Sequence, residues 1–334
     1  SGSTYSQFRK DALDYFKTQT NPLVKDETAF RYLSPVKKNT VADYQFPVFI
    51  NEDSILVTKK SYKQINAFYL IAHGKEEKIS VKKIVIDDYF SYNNGRVVYA
   101  SYQSDPRWSN RNYSNIELLN IYTKEKKRLT FKSKYFSPVI NKEGTEILAV
   151  NVETNGGNSL HRIDGHSGKL IQTIPNPRNY FFTQSSYLND NAAISAVRNP
   201  AGEMALVQVN LITGETVPIT PFSFNVVGFP FVRNDTVYYS AMDNQSPADK
   251  IFAVTLSDRK IYRLTANVNG VYHPAVSAKG NLLVSAFTAD GYRLATLAAG
   301  EIKWTMADNP NIIPVKEIGT ANALNGKGSG ALYR

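Results

Sequence analysis

Three groups of residues in this chain carry side chains that could do chemistry. The first is the polar insertion Gln103 to Tyr113, where Arg107, Trp108, Arg111 and Tyr113 combine residue types enriched at protein-binding hot spots. The second is a series at nearly even spacing, Asp43, Asp88, Lys134, Asn179 and Asn225, each one residue before a repeated aromatic or aliphatic position. Asp43 and Asp88 are the carboxylates of that series. A glycosidase needs such a pair, one as acid and one as nucleophile or base. Oxygen donors of this kind can also hold Ca²⁺ or water, and solvated loop caps account for them equally well. The third group is His161-Arg-Ile-Asp-Gly-His166. It invites a metal or triad reading, but Asp164-Gly165 is also the pair that a tight turn requires.

Other chemistries find no support. The chain has no cysteine, which removes disulfides and Cys-based zinc sites and leaves the redox compartment open. No serine sits in a Gly-x-Ser-x-Gly elbow, no phosphate loop or His-Glu-x-x-His motif occurs, and His73 and His273 stand alone. No stretch approaches the roughly 18 apolar residues of a membrane span, so no transmembrane segment is expected. The net charge of +10 can steer the chain towards anionic partners. Its lysines gather at 75–83 and 124–134, where lysine on an exposed sheet edge guards against edge-to-edge pairing. No recognition motif accompanies the charge, and nucleic acid is not an expected partner.

The elements that must position these residues follow from an internal period. Tyr44, Tyr89, Tyr135, Tyr180, Val226 and Tyr272 are spaced by 45 or 46 residues. A second register agrees with it: Leu129, Ile174, Ile219 and Leu264 close successive units at intervals of 45, with Ile79-Ser80 and Trp304-Thr305 in the matching place of the first and last. Each unit holds four short runs of strand character separated by turn residues. The second run is often apolar throughout, as in Val97-Val-Tyr-Ala100 and Leu282-Leu-Val-Ser-Ala286, which suits a strand buried on both faces. Four strands per period of this length describe a propeller blade, and six such sheets close radially around a channel. The expected fold is an all-β, six-bladed propeller with a short N-terminal helix.

The phrase Tyr135-Phe-Ser-Pro-Val-Ile-Asn-Lys-Glu-Gly-Thr-Glu-Ile-Leu-Ala-Val150, with blade endings such as Arg263-Leu-Thr265, resembles the TolB-like (WD-repeat-like) propeller repeat. The resemblance covers about 44 to 307. The fourth unit lacks the proline, and the usual Asp-Gly turn becomes Glu-Gly, Lys-Gly or Asn-Gly. Such repeats imply a bacterial envelope setting and non-catalytic protein contacts. They also occur as modules beside peptidase or outer-membrane domains.

In a propeller the linkers between blades and the loops from second to third strand share one face. That face should carry the Gln103–Tyr113 insertion as a partner-binding site, with Asp43, Asp88, Asn179 and Asn225 ringing the channel mouth. Glu52, Asp53, Glu143, Asp190 and Asp235 fall in turns on the opposite face and do not converge with the Asp43/Asp88 pair. Trp108 either meets a partner or folds back onto its blade.

The expected organisation is a helix and extended lead-in over 1–43, a propeller over 44–309, and a tail over 310–334. The blades run at about 44–88, 89–134, 135–179, 180–225, 226–271 and 272–309. Thr4 to Gln19 fits an amphipathic helix with Phe8, Ala12, Tyr15 and Phe16 in a stripe, packed on the propeller flank or on an upstream domain. The lead-in can supply a closing strand to the last blade, but that blade shows four runs of its own and is expected to close itself. The start without Met and the Gly/Ser-rich end read as a piece of a longer protein.

The expected function is a non-catalytic scaffold of a larger bacterial cell-envelope protein, periplasmic, outer-membrane-associated or secreted. It binds a protein partner through the loop-bearing face, with possible anionic lipid or polysaccharide contact, and needs no cofactor. The alternatives are a propeller that accompanies or gates a hydrolase, peptidase or glycosidase, and a glycan-binding module.

Overall fold

The computed structural model of the chain describes residues 3–19, 28–36, 40–108, 110–243, 246–266 and 269–307. The 310–334 tail lies outside them. Six antiparallel sheets carry the chain in order. Blade one is typical, with strands Ala42–Asn51, Ser54–Ser61, Gln64–Ala72 and Lys75–Val81 from inside to outside. The inner strands of the six blades, Ala42–Asn51, Phe90–Asn93, Tyr135–Ile140, Phe181–Asn189, Val227–Arg233 and Val271–Val276, touch one another in cyclic order and close the ring.

One sheet cannot cover its own apolar faces, and the core shows how the ring solves this. Among the described residues there are six hydrophobic clusters, and each spans two adjacent blades. Val57 and Tyr44 of blade one meet Leu283 and Leu294 of blade six, while Leu56 and Phe68 meet Phe90 and Tyr99 of blade two. The second strands, read as buried on both faces, are so: Val97 to Ala100 and Leu282 to Val284 are nearly inaccessible.

The recurring proline marks a feature that strand alternation does not reveal. The inner strands of blades one, three, five and six each contain a bulge, where the register shifts at Phe46-Pro47, Ser137-Pro138, Phe229-Pro230 and His273-Pro274. Proline has no N–H to give a ladder and is tolerated at such a bulge. The residue before it is left-handed in all four, with φ of 54, 43, 55 and 56°. A non-glycine residue held there costs about 1–3 kcal/mol, so the surrounding packing must hold it.

The seam corrects the expectation for the last blade. Its outer strand is Arg31–Tyr32 from the lead-in, paired with Thr296 and Ala295. Phe30 and Leu33, which flank that strand, pack against the two clusters on either side of blade six. Residues Thr305–Met306 instead become a fifth strand of blade five, paired with Arg263 and Tyr262. Trp304 explains the detour, since its ring meets those of Tyr262 and Tyr238 at 5.5 and 6.2 Å.

The helix Tyr5–Gln19 forms, with the Gln7 N–H bonded to Thr4 Oγ1. Its stripe is not buried on the flank: Phe8, Tyr15 and Phe16 stay 60–64% exposed.

Candidate functional site

Antiparallel pairing within each blade, together with the ring of inner strands, places the inter-blade linkers and the second-to-third-strand hairpins on one face, here the loop face. The remaining turns form the turn face. Large apolar side chains crowd the tips of the loop face: Tyr62 and Ile65 on one hairpin, Ile84, Ile86, Phe131 and Phe224 on linkers, and Trp108 on its insertion are all exposed.

The insertion is braced at its base by Asp105. Asp105 Oδ1 accepts the N–H groups of Arg107 (2.9 Å) and Trp108 (3.2 Å), while Oδ2 accepts the Tyr113 hydroxyl at 3.0 Å. These bonds, the Arg107 N–H first, hold the Asp105 carboxyl below the usual carboxylate range. Trp108 is 60% exposed and does not fold back. Arg107 and Arg111 are exposed beside it, and the Arg111 guanidinium lies 5.7 Å from the Tyr113 ring. Tyr113, grouped with them from sequence, is buried and braces the loop.

Three of the residues expected to ring the channel mouth are tied to a neighbouring blade. Asp43, Asp88 and Lys134 each reach back to the hairpin strands of the preceding blade. Asp43 Oδ1 accepts the Tyr292 N–H at 3.0 Å. Asp88 pairs with Lys60 at 3.3 Å and accepts from Asn66 at 3.1 Å. Lys134 donates to Asn112 Oδ1 at 2.9 Å. Asn179 is an exposed turn residue with φ of 51°, and Asn225 is buried with its N–H on Ser223 Oγ. The Ca²⁺ site considered from sequence is therefore not formed by these oxygens, because Asp43 and Asp88 are already committed to different hairpins. Among the described residues no group of three or more acidic or histidine side chains is arranged to hold a metal.

What closes the channel is a plug of rings that the bulges turn inward. Phe46 stacks on His273 at 3.9 Å and meets Phe229 at 5.7 Å and Tyr89 at 6.0 Å, while Phe229 meets His273 at 4.4 Å. Burial pushes the His273 imidazole down to about 3, and its Nδ1 faces the Phe46 N–H at 3.5 Å, so the plug is neutral. The signal available in sequence was the recurring proline: Phe46, Phe229 and His273 each stand directly before one.

Asp87 and Lys82 are further residues that sequence reasoning passed over. Asp87 Oδ2 accepts both the Ser137 N–H (2.6 Å) and its hydroxyl (2.9 Å), linking the first linker to blade three. Burial pushes its carboxyl up. Lys82, wholly buried, donates to the Asp88 carbonyl at 2.5 Å, and desolvation lowers its ammonium to about 8. The doublet Asp87-Asp88 thus ties three blades together on the loop face. His161 lies between Tyr135 and Thr173 within blade three. Asp164 caps the following turn through His166 N–H and Ser167, whose hydroxyl is foremost in drawing its carboxyl down to about 2.

The turn face holds a cavity of about 410 Å³, the channel below the plug. Its walls include Val48, Tyr92, Val139, Ile140 and Phe231, and its lining includes Asn93, Lys142 and Arg233.

No family model matches the sequence, and no curated protein matches it. Solved structures do match in shape. TolB from Acinetobacter baumannii aligns with a TM-score of 0.50 at 11% identity, over 86% of this chain and 87% of that one. The WD40 propeller domain of Doa1 gives 0.52 at 11%, over 81% and 97%. A puromycin-hydrolysing peptidase of Mycobacterium tuberculosis gives 0.55 at 8%, over 86% of this chain and only 57% of the peptidase. At such identities the likeness speaks to fold alone, and it embraces propellers with and without an attached peptidase. The chain is a six-bladed β-propeller whose structural neighbours include TolB and WD40 propeller domains.

Proposed function

We propose that this propeller is a non-catalytic interaction scaffold within a larger bacterial cell-envelope protein, and that it binds a protein partner through its loop face. One observation carries the reading: large apolar side chains stand exposed at the loop tips while the nearby carboxylates Asp87, Asp88 and Asp105 are turned inward onto Ser137, onto Lys60 and Asn66, and onto the insertion's own backbone. Exposed apolar residues gathered on one surface mark contact sites in soluble domains. Arg107, Trp108 and Arg111 belong to this surface, an aromatic anchor flanked by two guanidinium groups. The net charge of +10 adds attraction to anionic lipid or polysaccharide. The envelope setting rests on the likeness of the repeat phrase to TolB-like repeats.

The test is cross-linking capture from envelope extract with the parent chain and an Arg107→Ala/Trp108→Ala/Arg111→Ala variant of matched melting temperature. A protein recovered by the parent and lost with the variant supports the reading. Equal recovery by both removes the insertion from the site, and recovery only from cytoplasmic extract removes the envelope setting.

A further inference from the structure

The channel below the ring plug has the form of a ligand cup, separate from the loop face. Its volume of about 410 Å³ falls in the range of roughly 300–1,000 Å³ typical of small-molecule sites. The floor is the neutral group Phe46, Tyr89, Phe229 and His273, and the walls are aliphatic and aromatic. Two cations line it as well, both near first-to-second-strand turns: Arg233, half-buried, and Lys142, exposed. Neither side chain makes a hydrogen bond or ion pair among the described residues. Lys142 is held in place by its carbonyl, which accepts from Asn93 Nδ2 at 2.5 Å. No carboxylate of this face forms an ion pair with Lys142 or Arg233 among the described residues. Glu52 is bound to Lys279 N–H and Asn281, and Glu143 and Asp190 line an adjoining crevice that Lys142 and Arg233 also border.

A half-buried guanidinium without an acceptor, beside an apolar cavity closed at its far end, is complementary to one chemistry. We infer that the cup binds a small amphiphilic anion, with an aromatic or branched apolar body on the rings and a carboxylate on Arg233 and Lys142. A guanidinium suits the carboxylate because two parallel N–H groups match its two oxygens. The neutral plug sets the orientation, since it offers nothing to a charged end and a dry surface to an apolar one.

Isothermal titration of the full chain with 2-naphthoate, and in parallel with neutral 2-naphthamide, tests this. One saturable site is expected for the acid, with the amide weaker by about tenfold, as for loss of a charge-assisted contact. Arg233→Ala and Lys142→Ala should each weaken the acid by a similar factor at unchanged melting temperature, with Arg233→Lys intermediate. Trp108→Ala on the loop face should leave binding unaltered. Absence of saturable binding, equal affinity for the amide, or indifference to both cation substitutions overturns the site. Loss with Trp108→Ala overturns it too, by moving the probe to the other face.

Discussion

The two faces of this propeller use their residues differently. On the turn face, short polar side chains satisfy the backbone of the turns that hold them. Asn141 Oδ1 accepts the N–H groups of Thr145 and Glu146, Asn51 that of Asp53, Asn189 that of Asn191, and Ser277 Oγ those of Lys279 and Asn281. Outer turns repeat the device with Asn120, Asp164 and Asn210. Large apolar side chains are exposed there at few places, Tyr122 and Ile212 among them. On the loop face the linker residues Asp87, Asp88 and Lys134 join one blade to the next, and large apolar side chains stand exposed at the tips. The polar residues of the turns are therefore accounted for by folding, whereas the Lys142 and Arg233 side chains of the cup are not. The apolar side chains at the loop tips are not accounted for by folding either, and that is the ground on which the interaction surface is proposed.

Four measurements can break or sharpen this contrast. The largest effect should come from the plug that separates the faces. Phe46→Ala removes a buried ring with three ring neighbours, and urea unfolding should show a loss of about 3–5 kcal/mol. A loss under about 1 kcal/mol would mean that the rings are not packed and that the channel is open from both sides. The pH dependence comes next. His273 falls to about 3 in the folded chain from its ordinary 6.5, so the unfolded chain takes up a proton that the fold refuses. Its contribution is constant above pH 6.5 and is lost as pH falls towards 3, at about 1.4 kcal/mol per unit, or about 2 kcal/mol by pH 5. Subtracting the profile of His273→Phe isolates this term, and identical profiles would show the imidazole to be solvated.

Smaller effects distinguish the faces directly. Asn141→Ala deletes the acceptor of two backbone N–H groups and should cost about 1–2 kcal/mol by chemical denaturation. Trp108→Ala should stay within about 0.5 kcal/mol. Equal costs for the two would erase the distinction, since Trp108 would then belong to the fold.

Much of this was readable before any coordinates. The spacing of Tyr44, Tyr89, Tyr135, Tyr180, Val226 and Tyr272 counts the blades, because each blade repeats the same burial problem and solves it with the same phrase. Doubly apolar second strands announce burial on both faces, and Asp164-Gly165 announces a turn. The site was less legible. Arg107, Trp108 and Arg111 could be placed on a loop by composition, but Tyr113, of equally suitable type, turns inward because Asp105 offers it an acceptor. Asp43 and Asp88 looked like a mouth ring because their sequence positions are equivalent. Equivalent positions face equivalent neighbours, however, and the neighbour here is the preceding hairpin.

The sequence by itself determined the number of blades, their four-strand make-up and the face on which each loop falls, since these follow from local periodicity and strand direction. Tertiary structure alone decided the partner of each edge and the direction of each special side chain. Trp304-Thr305 has the pattern of a fourth strand for blade six, yet it lies on blade five, because Arg31–Tyr32, with Phe30 and Leu33 beside it, covers the sixth edge and the aromatic rings of blade five receive Trp304. Phe46, Phe229 and His273 turn into the channel because a bulge before proline reverses the alternation. A competition for edges across some 270 residues, and a left-handed φ held by packing from three blades, are not encoded in any local window.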